Sequence, residues 1–135
     1  VIHGPGKEEE MIIASSESTP YLTRLSNGQQ TTNADTTTDK GGGESGFRPH
    51  ELLEAALASC MNMHLRMYAA SHGIGLADVC TTVTLDRNSP VEAVFNYSIE
   101  LSGQLDDGQR KKLMEMAESC PVRKTLSKKL TFRDL

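Results

Sequence analysis

The chain has 135 residues, 14 Lys and Arg against 18 Asp and Glu, and three Cys, which suits one domain with its own core and excludes a disulfide-stapled scaffold. A net charge of -4 offers no basic stripe for nucleic acid, and six aromatic residues without a Trp leave few platforms for stacking bases. The longest apolar run is broken by Glu54, His64 and Arg66, and no secretory segment is evident, so a cytoplasmic protein without membrane or nucleic-acid partners is expected.

Residues 1–8 read as a flexible tail. Strands are expected near 9–16, 20–26 and 28–36, where Ser, Thr and Ile lack helical periodicity and Ser26-Asn27-Gly28 signals a hairpin. The stretch Asp39 to Gly46 carries four glycines and reads as a connector; it lacks the Gly-Lys-Ser/Thr ending that a phosphate loop would need. Pro49 then opens a long helix, with Glu51 in its first turn and Gly73 as its C-terminal stop. Leu53, Ala56, Leu57, Cys60, Met61, His64, Leu65 and Tyr68 recur at spacings of three and four, which predicts one buried stripe. The helix has so little polar surface that burial on more than one side, at the domain centre or against a second subunit, is expected.

Strands follow at 79–87 and 92–103, and Asp106 caps a helix over 107–118 with Leu113, Met116 and Ala117 facing inward. Cys120-Pro121 starts a short helix to about Ser127, and Leu130 to Arg133 reads as a last strand. Strands group with strands, which argues α+β, with a long central helix packed against antiparallel sheets.

Two of the cysteines stand in chemically suggestive places. Cys120 lies at a helix N-terminus with Pro121 at the first helical position, where free amides and the helix dipole favour a thiolate. Cys60 lies mid-helix, where apolar burial opposes ionisation. Local electrostatics alone therefore nominates Cys120 as the nucleophile, and Cys60 needs a cation from elsewhere. His64, one turn beyond Cys60, reads as a buried or substrate-lining histidine; neither His50 nor His72 is spaced to complete a metal site with it, and no metal is expected. A Cys-His hydrolase lacks any triad context. Cys80 reads as a small core residue in its strand. Met61, Met63 and Met67 read as core, with Met61 and His64 as candidates for a substrate pocket.

Pro49-His50-Glu51-Leu52-Leu53, Ala55-Ala56-Leu57-Ala58-Ser59-Cys60 and Cys120-Pro121-Val122, with the Gly41-Gly42 loop, Leu101-Ser102-Gly103 and Lys124-Thr125-Leu126, resemble the OsmC/Ohr family over roughly residues 20–135. The resemblance implies one OsmC-like domain over residues 1–135, in a homodimer whose protomers intertwine around two long central helices. It implies a thiol peroxidase that reduces organic hydroperoxides, with no bound cofactor and with reduction by an external dithiol of lipoyl or other type. It assigns Cys60 as the attacking thiol, Cys120 as the resolving thiol, and Glu51 as the carboxylate that positions an arginine. Arg24 is the candidate by its region and Arg48 by its nearness to Glu51. About nine residues at about 100° each separate Glu51 from Cys60, putting them on opposite faces of one ideal helix. Either the helix breaks between them or Glu51 serves the other subunit. The alternative function is a non-peroxidase member of the same fold that binds small hydrophobic or thiol ligands.

Overall fold

In the computed structural model, residues 11–135 are described. The expected tail at 1–8, and the first two residues of the expected first strand, lie outside them. The chain forms two compact units, one up to Leu52 and one over Leu53–Leu135.

The first unit is an antiparallel meander of β1 (Ile13–Ser16), β2 (Thr23–Ser26) and β3 (Thr31–Ala34) in the order β1-β2-β3. Its strands are shorter than expected. Tyr21 adopts φ 66 and Leu22 N–H donates to Thr19 O at 3.3 Å, so a turn occupies the positions where β2 would have begun. The hairpin forms where Asn-Gly predicts it: Ser26 pairs with Thr31, and the Asn27 carboxamide accepts Gln29 N–H at 2.9 Å and Gln30 N–H at 2.8 Å.

After β3 the glycine-rich connector wraps around a carboxylate. Asp35, 3% exposed, accepts the amides of Thr36 at 2.8 Å, Gly43 at 3.2 Å and Ser45 at 3.0 Å. These three amides are committed to a side chain of the loop itself. The bonds from Ser45 and Thr36 hold the Asp35 carboxyl below its usual range. A folded-state pKa below the unfolded one means the stabilisation is fully present above the unfolded value and disappears as pH falls through the lower folded value. Denaturation midpoints measured from pH 5 down to about pH 2 should therefore fall more steeply for the wild type than for Asp35→Asn. Parallel curves would show that this carboxylate does not staple the loop.

α1 (Pro49–Ser71) runs through the boundary at Leu52 without a break, which removes the expectation that the helix is interrupted between Glu51 and Cys60. Gly73 at φ 63 ends it, with Ile74 N–H donating to Ala69 O at 3.0 Å. A left-handed turn of this kind favours glycine.

The second unit pairs β4 (Gly75–Asp86) with β5 (Val94–Gln104), followed by α2 (Asp107–Ala117) and α3 (Pro121–Leu126). β4 begins four residues earlier than expected because a register shift between Leu76 and Asp78 lets the Gly75 end keep pairing. Gly103, at φ 131, faces that irregularity: a Cβ there would meet Gly75 O at 2.3 Å and Ala77 N at 2.6 Å. Gly103→Ala should cost about 1–3 kcal/mol in urea unfolding, from backbone strain and the clash together. An unchanged midpoint would mean that the strand ends relax without loss.

Asp106 caps α2 through a reciprocal pair with Gln109, as the sequence leads one to expect for Asp106. The main core of this unit joins Leu65 and Ala69 of α1, Val79 of β4, and Leu113 and Ala117 of α2. Three polar ties fix the height of α1 along β4: Glu54 accepts Leu85 N–H at 2.8 Å, Ala58 O accepts the Thr81 hydroxyl at 2.8 Å, and Asn62 donates to Val79 O at 2.9 Å. Residues 54, 58 and 62 are one helical row.

Four expectations are corrected. Residues 130–133 are not a strand: they gain no ladder partner in the described chain, and Leu130 and Phe132 stand 55% and 96% exposed. The buried row of α1 is Leu57, Met61, Leu65 and Ala69, narrower than the expected stripe; Leu53 and Ala56 are exposed. Met63 and Met67 are exposed rather than core. Cys80 is exposed as well, because Val79 is the residue of this stretch of β4 that turns inward.

Candidate functional site

α1 and the start of α3 bring the two motif cysteines into one packed cluster. Leu57, Met61 and Cys120 are buried there, with Cys60, Val83, Phe95 and Val122 packed against them. Helical spacing explains the first part: Cys60 lies between Leu57 and Met61 of the buried row, three residues after one and one before the other. Pro121 explains the second. It occupies the first helical position of α3, so the first free amide the helix presents is that of Val122. That N–H donates to Cys60 Sγ at 3.5 Å.

The cysteines are both reduced in this structure and differ in access. Cys60 is half-buried; Cys120 is 0% exposed. Burial pushes the Cys120 thiol above its usual range and the adjacent Cys60 sulfur raises it further, while the amides of Arg123 and Val122 pull the other way. This corrects the electrostatic argument for Cys120 as nucleophile. A position at a helix start lowers a thiol's pKa only where desolvation does not outweigh the amides.

His64 reaches the α2–α3 junction. Ser119 spends its one hydroxyl proton on Met116 O at 2.9 Å, so its oxygen accepts from His64 Nε2, 3.1 Å away. The Nε2–H tautomer follows from that network. α1 thus grips the α2–α3 junction at two levels, through His64 to Ser119 and through Cys60 to Val122, on either side of Cys120. Among the described residues, no three His, Cys, Asp or Glu side chains gather as metal donors.

Met61, by contrast, does line a cavity. With Leu57, Phe95, Tyr97, Arg123 and Leu130 it encloses part of a space of about 350 Å³ beside the cysteine cluster. Arg123 is fixed in the wall: its Nη1 donates to Tyr97 Oη at 3.0 Å and its guanidinium carbon lies 5.6 Å from the centre of that ring. No local pattern marks this pair, since 26 residues separate them. The amide on Cys60 was equally hidden, although Pro121 marks where such an amide must lie.

The remaining site candidates lie in the first unit. Glu51 Oε1 accepts Arg48 Nε at 3.1 Å and Arg48 N–H at 2.9 Å, and these bonds hold its carboxyl below the usual range. Glu51 is thus bonded to the Arg48 side chain and backbone. Arg24 is exposed on β2, paired through its backbone with Ser15 and Asn33.

The model of the OsmC-like protein family matches residues 41–133. The chain belongs to that family. The match spans both cysteine motifs. No curated protein matches the chain. Among solved structures, an OsmC-like protein of Mycoplasma pneumoniae superposes with a TM-score of 0.74 at 19% identity, covering 88% of this chain and 87% of that one. A protein of Psychrobacter arcticus, described as a candidate osmotic stress induced and detoxification response protein, gives 0.73 at 24% identity over 90% of each chain. The organic hydroperoxide resistance protein OhrB of Bacillus subtilis gives 0.60 at 18% identity, with 89% and 91% covered. These likenesses establish the OsmC-like α+β fold, in which a long helix packs against antiparallel strands. Among the described residues no helix is long and apolar enough to cross a membrane.

Proposed function

We propose that this OsmC-like protein is a thiol peroxidase that reduces organic hydroperoxides in oxidative stress defence. The observation that carries the reading is the cluster itself: Cys60 and Cys120 packed together, with the reachable sulfur receiving a helix-start amide at 3.5 Å. In this reading the Cys60 thiolate attacks the outer oxygen of the hydroperoxide. The S–O bond forms as the O–O bond breaks, and the leaving alkoxide takes a proton and departs as the alcohol, leaving a Cys60 sulfenic acid. The Cys120 sulfur then attacks that acid, forming the Cys60–Cys120 disulfide and releasing water. An external dithiol opens the disulfide by two exchange steps and leaves oxidised. A charge-assisted bond from an amide is stronger to a thiolate than to a thiol, which is what the Val122 N–H offers Cys60.

Access orders the steps. Cys60 is the sulfur that a hydroperoxide and then a dithiol can reach, whereas buried Cys120 meets its neighbour and little else. A carboxylate that positions an arginine is part of the same reading, and Glu51 with Arg48 supplies that pair. The homodimer belongs to the proposal too: α1 leaves Met63 and Met67 46% and 67% exposed beside Ala56 and Ser59, an apolar surface that a second copy would cover. The direct test is cumene hydroperoxide consumption by the purified protein with dithiothreitol. The expected result is one alcohol formed per dithiol oxidised, over many turnovers. A wild-type protein that consumes no hydroperoxide above the dithiol background would refute the reading.

A further inference from the structure

The cavity beside the thiols contains one feature that an organic hydroperoxide as such does not require. Leu57, Met61, Phe95, Leu126 and Leu130 give it apolar walls, and among the described residues these walls hold a single cation, Arg123. Among the described residues no carboxylate lies within ion-pair distance of Arg123. Its neighbour in the wall is Tyr97, whose hydroxyl accepts one guanidinium N–H and whose ring lies beneath the guanidinium carbon. The two contacts hold the planar group in place and leave its other N–H groups without a carboxylate acceptor among the described residues, in a setting where apolar surroundings strengthen a charge pair. The cavity borders the cysteine cluster: Leu57, Met61 and Phe95 belong both to its wall and to the cluster, and Arg123 follows directly on Val122, whose amide meets Cys60.

We infer that this cavity binds apolar molecules carrying a carboxylate, with Arg123 as the anchor for the anionic head and the Leu57, Met61 and Phe95 wall as the seat of the alkyl chain. A volume of about 350 Å³ suits a medium-length chain. That the bound acid should be a hydroperoxide rests on the peroxidase reading; that the site takes a carboxylate does not. Arg123 is then a specificity-determining residue, selecting hydroperoxides of acids over neutral ones of the same shape.

The test separates the two claims. Binding of decanoate and of decanol to the wild-type protein is measured by calorimetry at fixed, low salt, and again for Arg123→Gln and Arg123→Lys. Decanoate should bind the wild type at least about tenfold more tightly than decanol, about 1.4 kcal/mol. Arg123→Gln should remove that preference and Arg123→Lys should restore part of it, since lysine keeps the charge but not the fork. In turnover, kcat/KM for a ten-carbon acid hydroperoxide relative to its methyl ester should fall about tenfold in Arg123→Gln. Equal affinity of the wild type for acid and alcohol, failure of decanoate to bind, or a preference that survives Arg123→Gln would overturn the inference. Wild-type turnover of cumene hydroperoxide is scored separately, so a failed peroxidase reading and a failed carboxylate site give different results.

Discussion

Serine in place of Cys60 should lower hydroperoxide turnover by at least about a hundredfold, about 2.7 kcal/mol of barrier, because the hydroxyl cannot supply the thiolate that attacks the O–O bond. The fold should tolerate the change, since Cys60 is half-buried at the edge of its cluster and serine can still accept from Val122 N–H. Cys120→Ser should behave differently. Its first turnover should proceed at the wild-type rate and release one equivalent of alcohol, after which Cys60 remains as a sulfenic acid that a dimedone-type reagent traps. Without the resolving thiol, that acid is also open to further, irreversible oxidation by excess hydroperoxide. Rapid-mixing measurements of alcohol release check both variants. A full first turnover in Cys60→Ser, or trapping at residue 120 in the wild type, would reverse the assigned roles.

Leu65→Ala should be the more damaging change to stability, at about 2–5 kcal/mol. Leu65 is 0% exposed where α1 meets Val79 of β4 and Leu113 and Ala117 of α2, so truncation leaves a void that three separate elements would have to move to fill. Against a typical total of about 5–15 kcal/mol, a loss of that size shifts the urea midpoint severely. Val91→Ala, at a position 92% exposed between β4 and β5, should stay within about 0.5 kcal/mol of wild type. Comparable losses at the two positions would show that the core does not centre on the α1 row of Leu57, Met61, Leu65 and Ala69.

The readings that held rest on signals carried by local chemistry. Pro49 and Gly73 bound α1 because proline fixes its own φ and glycine accepts the left-handed φ of 63, and Asp106 caps α2 with its own side chain. The cysteine motifs were legible as motifs, and their spacing permitted the cluster that α1 and α3 form. What failed depended on burial and on pairing, which no local pattern encodes. Cys120 sits where a thiol gains from free amides, yet its complete burial reverses the balance. Residues 130–133 alternate like a strand, but a strand exists only beside another, and none takes them up among the described residues. Cys80 and Val79 are adjacent in β4, and only the position of the sheet on α1 decides which one turns inward. Glu54 reads in the sequence as an interruption of an apolar run, yet with the Ala58 carbonyl and Asn62 it attaches the helix to β4. The role of Asp35 has no local signature, because the three amides it holds come from residues one, eight and ten positions onward.

The central claim is that Cys60 and Cys120 act on each other. It is tested most directly by adding one equivalent of cumene hydroperoxide to the fully reduced protein, blocking free thiols, and mapping the cysteines by peptide mass spectrometry. The account predicts a Cys60–Cys120 cross-linked peptide pair, with Cys80 recovered as the blocked free thiol. Recovery of both Cys60 and Cys120 as free thiols while Cys80 is oxidised would contradict it.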